Sequence, residues 1–305
     1  MRVVGIGQCT WDLIAIVPDH PPADAKVDVL EWHEDGGGPA ATALVALARF
    51  GASCAFAGVR GDDVAGDRIA ASLSREGIDI SGLVVRTGEK SQLAFVSVAR
   101  ETAKRTIFCR RPSGSALAPD EVPACLLDDA DFLLVDGTMP EAAVAAAMAA
   151  RRRGIPVMVD AGTLRPGLPE MMHNASYVAG PETFFHRLGW DGTGSGMSTL
   201  RREYGNPVVT VTLGEKGSLT WGDEFIDMPA FAIRAVDTTG AGDVFHGGYI
   251  YGLLRGWNLR QTVEFASAVA ALSCTALGGR QGIPTMAEAM SFIRTHRGEE
   301  SRWGS

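Results

Sequence analysis

The chain has 305 residues, a length that suits one large α/β domain or two smaller ones. Hydrophobic residues make up 46% and charged residues 21%, which gives ample apolar area for a core and excludes a disordered tail protein. Its 28 basic and 36 acidic residues leave a net charge of −8, so no chain-wide basic field exists for nucleic acid or anionic lipid, and any anion must be held by a local site.

In chain order, residues 3–7 predict a strand and 39–50 a helix, with Pro39 early in it and Gly51 just past its end. A strand at 53–58 and a helix near 65–76 follow. The run DFLLVD (131–136) predicts a buried strand, and 141–153 a helix closed by Gly154. Strands are expected at 155–161 and 207–213, helices at 259–277 and 286–296. Strands that are apolar throughout and alternate with helices point to a mostly parallel sheet covered on both faces. Two stretches, 13–34 and 91–109, carry strand periodicity with no helix between. They read either as a small antiparallel sheet standing off the main body as a lid, or as long edge hairpins of the main sheet. No internal repeat or low-complexity segment occurs, and residues 297–305 read as a frayed tail.

Five scattered cysteines with no C-x-x-C pair argue for a reducing compartment and against a disulfide framework. The histidines lack the H-E-x-x-H spacing of a zinc hydrolase. Gly5 and Gly7 break the apolar start too early for a secretion signal, and no apolar run approaches about 18 residues. The expected location is cytoplasmic.

The strongest motif is Asp237-Thr238-Thr239-Gly240-Ala241-Gly242-Asp243, running directly into a helical pattern. Gly240 and Gly242 permit close backbone approach to a ligand, and the free amides of a first helical turn point at it. That is an anion hole suited to a phosphoryl group. Asp243, in the same turn, is placed to accept the proton of an attacking hydroxyl. The plainer reading is a capped helix whose small residues allow close packing, and Gly247, Gly248 and Gly252 serve that equally well. Gly36-Gly37-Gly38-Pro39 exposes backbone before a helix, as a ligand loop or a flexible turn; Gly58–Gly66 is a polar loop or a capped turn. Thr212-Leu213-Gly214-Glu215-Lys216-Gly217 ends a strand, where open α/β sheets bind ligands, or is a hairpin turn. A Walker A loop, a complete G-x-G-x-x-G and the protein-kinase set are all missing.

Together, GGGPAATA…GVRGDD and DTTGAGDVFHGG resemble the two signature regions of the PfkB (ribokinase-like) carbohydrate kinase family, over nearly the whole chain. The resemblance implies a three-layer α/β/α fold with a mostly parallel central sheet and a small β-sheet lid. It divides the chain into a core of 1–12, 35–90 and 111–297, lid insertions at 13–34 and 91–110, and a flexible tail at 298–305. It implies phosphate transfer from ATP with Mg2+ to a sugar hydroxyl, and a homodimer formed through the lid. By that resemblance Asp243 is the catalytic base and Gly240, Ala241 and Gly242 form the anion hole. Asp12, Gly37 and Gly38 match sugar-binding positions; Thr212, Gly214 and Gly217 match the nucleotide turn; Ser267 and Gly279 belong to the adenine-side segment. Glu182 matches the magnesium-organising glutamate of an N-x-x-E motif whose asparagine is here Ala179, and Asp237 and Thr239 match a monovalent-cation (K+) loop.

The sugar is less legible. Ala41 stands where many members carry asparagine, which removes a polar contact. GGGPAATA, DVFHG and CTALGGRQGIP are most similar to the sulfofructose kinase branch, although Thr138 stands where that branch uses arginine. Arg110 and Arg111 supply guanidinium groups suited to a sulfonate or phosphate, or are solvated lid residues. The expectation is therefore a sugar kinase acting on an anionic ketose such as sulfofructose, with ribose, fructose or a deoxy-ketogluconate-type acid open. A nucleoside kinase of the same fold and a non-catalytic sugar or nucleotide sensor are the alternatives; a sensor has no need of the base at Asp243.

Overall fold

The apolar run at the amino terminus, β1 (Arg2–Ile6), lies near the middle of the larger sheet, between β4 (Ser53–Gly61) and β8 (Phe132–Val135). The computed structural model describes residues 1–297, and the tail expected at 298–305 lies outside them. From β1 the chain builds one side of the sheet through β4 and β5 (Asp79–Arg86). It then returns to build the other through β8, β9 (Val157–Asp160), β10 (Tyr177–Pro181) and β11 (Val208–Thr212), all in parallel pairing. The antiparallel strands β12 (Ser218–Trp221) and β13 (Phe225–Met228) complete nine strands. Strand order reverses between β1 and β8, and a crevice at the carboxyl ends of strands at such a switch point is where open α/β sheets bind ligands.

Helices cover both faces. On one, α1 (Pro39–Arg49), α2 (Val64–Arg75), α7 (Ala241–Leu254), α8 (Leu259–Ser273) and α9 (Met286–Arg297) pack through Leu44, Leu47, Ile69, Tyr249, Phe265 and Ile293. On the other, α3 (Pro140–Arg152), α4 (Leu168–His173), α5 (Glu182–Arg187) and α6 (Gly194–Tyr204) bury Ala147, Met171, Phe184, Phe185 and Met197. This is the three-layer arrangement, and the buried strands β8 (FLLV) and β9 (VMVD) are covered on both faces.

The two strand-rich insertions form a separate sheet, not edge hairpins of the main one. Its order is β3-β2-β6-β7, from β2 (Thr10–Val17), β3 (Glu31–Gly37), β6 (Leu93–Ala99) and β7 (Arg105–Arg110). The sheet is mixed, not antiparallel throughout as expected: the two hairpins are antiparallel, but they join through a parallel β2–β6 pair. Its inner face carries a small core of Ile14, Ile16, Ala94, Val96 and Val98. Periodicity alone overlooks four strands of the main sheet. β5 is interrupted by Gly82 and half-exposed, β10 is short and ends in Gly180-Pro181, and β12 and β13 are four-residue strands with polar residues in alternate places. Helix α8 also stops at Ser273, short of the expected 277, because the Cys274 carbonyl accepts from the Val236 and Asp237 amides and the chain is diverted into a turn.

Candidate active site

At the switch point the floor is organised by Asp136, which follows β8. Its carboxylate accepts the amides of Gln8 (2.7 Å), Ala40 (3.2 Å) and Thr138 (3.0 Å) and the Thr138 hydroxyl (2.5 Å). One side chain thus joins the loop after β1, the start of α1 and its own loop. Gly7 leaves it room: a Cβ there would lie 2.1 Å from Asp136 Oδ2. Thr138 is therefore a partner of Asp136, half-buried at the edge of the floor.

Above the floor, the turn 237–240 feeds α7. Asp237 is fully buried and braces the turn: Oδ1 accepts the Thr239 amide and hydroxyl (2.9 and 2.7 Å), and Oδ2 accepts the Gly278 amide (2.9 Å). Gly240 is the N-cap, left-handed at φ 73°, with no side-chain acceptor for the first-turn amides. A Cβ on Gly240 would sit 2.9 Å from Gly279 Cα, whereas one on Gly242 would meet nothing within 4 Å. Uncapped amides beside open space fit an anion. Asp243 stands in that first turn, half-buried. Enclosure by the cleft walls and the negative charge of Asp160 raise its pKa well above the usual carboxylate value, with Asp136 and Asp12 adding to the effect and His246 opposing it. A carboxyl so tuned can take up a proton near neutral pH.

The opposite wall comes from the lid root. Asp12 on β2 and Asp35 on β3 are cross-strand partners, a like-charged pair that would repel without a counter-ion. That counter-ion is Arg280, itself buried, which donates to Thr42 Oγ1 (3.3 Å), Ser72 Oγ (3.3 Å) and the Gly37 carbonyl (3.1 Å). The three glycines of the motif each have a separate cause. Gly36 leaves space for Arg280 (2.2 Å from a would-be Cβ), Gly37 for Asp12 (2.2 Å), and Gly38 adopts φ 97° against the Gln8 carbonyl. Asp12 Oδ1 and Asp35 Oδ2 are buried without a protein hydrogen-bond partner. Burial lifts the Asp12 pKa to about 7 against the pull of Arg280. Two carboxylate oxygens left open in this way suit the hydroxyls of a polyol.

Arg110, at the end of β7, directs Nη2 to Asp63 Oδ2 and the Ser91 carbonyl, both at 3.1 Å; Arg111 beside it is exposed. Arg105, at the other end of β7, donates to the Thr238 hydroxyl, so the lid sheet touches the 237–240 turn. Thr212, Gly214 and Gly217 form the hairpin between β11 and β12 at the carboxyl edge of the sheet, the two glycines at φ 61° and 103°. Ser267 is half-buried on α8, and Gly279 abuts Gly240. Glu182 opens α5 with its side chain half-exposed, 3.5 Å from His186 Nε2. The carboxylate on this side of the sheet that bears on Asp243 is Asp160, at the end of β9 and in register with Ala179.

Sequence reasoning therefore passes over Asp35, Asp136, Asp160, His246 and Arg280. Two of these left a signal, since DFLLVD and IPVMVDA both end an apolar strand in aspartate at the ligand-binding edge. Arg280 left none, because its contact with the Gly37 carbonyl joins segments 243 residues apart.

A three-layer fold with a separate lid sheet, an uncapped helix start and a half-buried carboxyl group beside it defines a small-molecule phosphotransferase of the ribokinase-like kind. The chain belongs to the pfkB family of carbohydrate kinases: the family model for "pfkB family carbohydrate kinase" matches residues 1–286. It is 28% identical over 267 residues to ribokinase of Haemophilus influenzae, covering 84% of this chain and 87% of that one. It is also 28% identical over 320 residues to fructokinase-1 of Zea mays, covering 95% and 97%. Among solved structures, ribokinase of Thermotoga maritima superposes with a TM-score of 0.81 at 25% identity, covering 96% of this chain and 99% of that one. No helix among the described residues is long and apolar enough to cross a membrane.

Proposed function

We propose that this carbohydrate kinase transfers the γ-phosphate of ATP to a sugar hydroxyl held between Asp12, Asp35 and Asp243, with Asp243 as the base. The observation that carries the reading is Asp243 in the first turn of an uncapped helix, with its pKa raised into the range of a working base. Phosphoryl transfer asks the protein for positioning and charge stabilisation more than covalent chemistry. Asp12, with Gly37 and Gly38 shaping the space around it, orients the sugar; Asp243 takes the proton of the attacking hydroxyl; the amides of Gly240, Ala241 and Gly242 hold charge on the transferring group. Thr212, Gly214, Gly217, Ser267 and Gly279 form the nucleotide side, and the lid excludes water.

Among the described residues no group of three histidine, cysteine, aspartate or glutamate side chains is set to hold a metal. Magnesium would therefore arrive on the nucleotide phosphates, whose charge it screens, and would reach Glu182 through water. A potassium ion would be held near Asp237 and Thr239, where both oxygens of Asp237 also accept hydrogen bonds within the protein. Replacing K+ by tetramethylammonium tests that requirement. The narrower reading of the substrate is an anionic ketose such as sulfofructose, favoured by the consecutive Arg110 and Arg111 at the lid edge; Thr138, on the floor, offers a hydroxyl and no charge.

A screen of ADP release over neutral sugars, sulfosugars, phosphosugars and nucleosides tests substrate class. Turnover confined to nucleosides, or none at all, overturns the sugar-kinase reading. The double variant R110A/R111A is expected to lose activity selectively on anionic sugars; equal loss on neutral ones removes the narrower reading. Asp243→Asn is expected to lower kcat by about 10²–10⁴-fold while calorimetric ATP binding persists. The reading further includes a homodimer through the lid, whose outer face exposes a row of rings, Trp32, Phe95 and Phe108, at 6.1 Å centroid spacings.

A further inference from the structure

Three residues beyond Asp243 on α7 lies His246, which the reaction as described above does not use. Positions i and i+3 share a helix face, so His246 sits one turn behind the base. It is 3% exposed, and its Nδ1 is 3.1 Å from Oδ2 of Asp160, which is 5% exposed. Alignment is poor for a hydrogen bond, and Nε2 has no protein partner. Its neighbours Val244, Phe245, Gly247, Gly248, Tyr249 and Ile250 are all buried apolar or small residues. A buried ion pair in such surroundings rarely adds net stability over apolar packing, because desolvation offsets the attraction. Its location suggests what it does instead. Carboxylates bear on Asp243 from three directions: Asp160 on β9, Asp136 after β8 and Asp12 on β2; His246, from α7 itself, is the cation among the groups acting on it. Burial disfavours the charged imidazole, yet the Asp160 and Asp243 carboxylates hold the His246 pKa above its usual value.

We propose that the buried His246–Asp160 pair is a positioning device for Asp243, with the His246 imidazolium offsetting the surrounding carboxylates so that the base gives up its proton at a lower pH than those carboxylates alone would allow. This rests on the reading of Asp243 as the base. Removing the cation leaves Asp243 facing Asp160, Asp136 and Asp12 alone, so its proton is held more tightly and the acid limb of activity moves to higher pH. Removing Asp160 as well takes away the largest of those negative charges and moves the limb back.

The test is the pH profile of kcat/KM on the sugar that turns over fastest, for wild type, H246F, H246Q, H246Q/D160N and D243N, with ATP affinity measured alongside. The expected result is an acid limb displaced upward by about one pH unit in H246F and H246Q. Activity should then be down about tenfold on the acid side and should recover in alkali, with ATP affinity unchanged and the limb restored toward wild type in the double variant. A loss constant across pH, or a folded histidine variant whose limb does not move, marks the pair as packing only and overturns the proposal. Should neither histidine variant fold, the wild-type imidazole read by 15N NMR decides: a cation at pH 7 supports the proposal, and a neutral ring overturns it. Full turnover in D243N removes the base and this inference together; a dead D243N beside an unmoved limb removes the inference alone.

Discussion

Asp12 shows how much of this site depends on burial working against charge. Its carboxyl is 7% exposed and has a pKa of about 7 in the fold, compared with an ordinary value of 3.8. Between those two values the native state keeps a proton that the unfolded chain releases, so the residue's contribution to stability falls as pH rises through the window and is lowest above about 7. An asparagine has no such titration. D12N should therefore be more stable than wild type by on the order of 1–2 kcal/mol at pH 8, with the difference shrinking toward pH 4, while it loses sugar binding. Paired melting curves at the two pH values check this; a difference that does not change with pH would place the Asp12 proton elsewhere. The same residue explains why Gly37 tolerates no side chain, since the space above it is occupied by the Asp12 carboxylate.

At the scale of elements, polar contacts tie the lid to the core along β3, where Arg68 meets Glu34 and Gln281 meets His33, and at both ends of β7. Arg280 fastens the root of β3 through the Gly37 carbonyl, Arg110 fastens one end of β7 to Asp63, and Arg105 fastens the other to Thr238. Arg280 is buried and shared among three acceptors, whereas the Arg105 and Arg110 contacts are exposed. The β7 side is therefore where the lid can part from the core, and the buried Arg280 contacts at the β3 root mark its pivot. R105A should remove one exposed hydrogen bond of about 0.5–1.5 kcal/mol and raise amide exchange in β6 and β7 several-fold, leaving α1 and β4 unchanged. Exchange that stays the same throughout the lid would show the Arg105–Thr238 contact to be incidental. The hairpin at 212–218 and the short β12 and β13 belong to the same lesson: they extend the sheet beyond β11, yet four-residue strands with polar alternation carry too weak a period to be read in advance.

Over the whole molecule, one surface feature lacks a use within the monomer. Trp32 is 52% exposed and Phe108 61%, and both lie in ring contact with Phe95 across the outer face of the lid. Contiguous exposed rings mark association sites in soluble proteins. If the lid pairs with a second copy, W32S/F108S should shift the protein to monomer in sedimentation experiments at micromolar concentration, with the melting profile of the core retained. A wild type already monomeric at that concentration counts against the lid dimer.

The sequence by itself determined the layered α/β class, most of the central strands and the helix start at Gly240–Asp243, because each rests on a local pattern: apolar runs, helical periodicity, and a turn that only glycine and small polar residues can make. What only the tertiary structure decided is which charges meet. Asp136 and Asp160 come from the ends of different strands of the main sheet and Asp12 from the lid sheet, and they converge on Asp243 only when both sheets are in place. Arg280 reaches Gly37 across about 240 residues, and His246 finds Asp160 from another element. Electrostatics depends on distance in space and on exclusion of water, and neither is written in the spacing of residues along a chain.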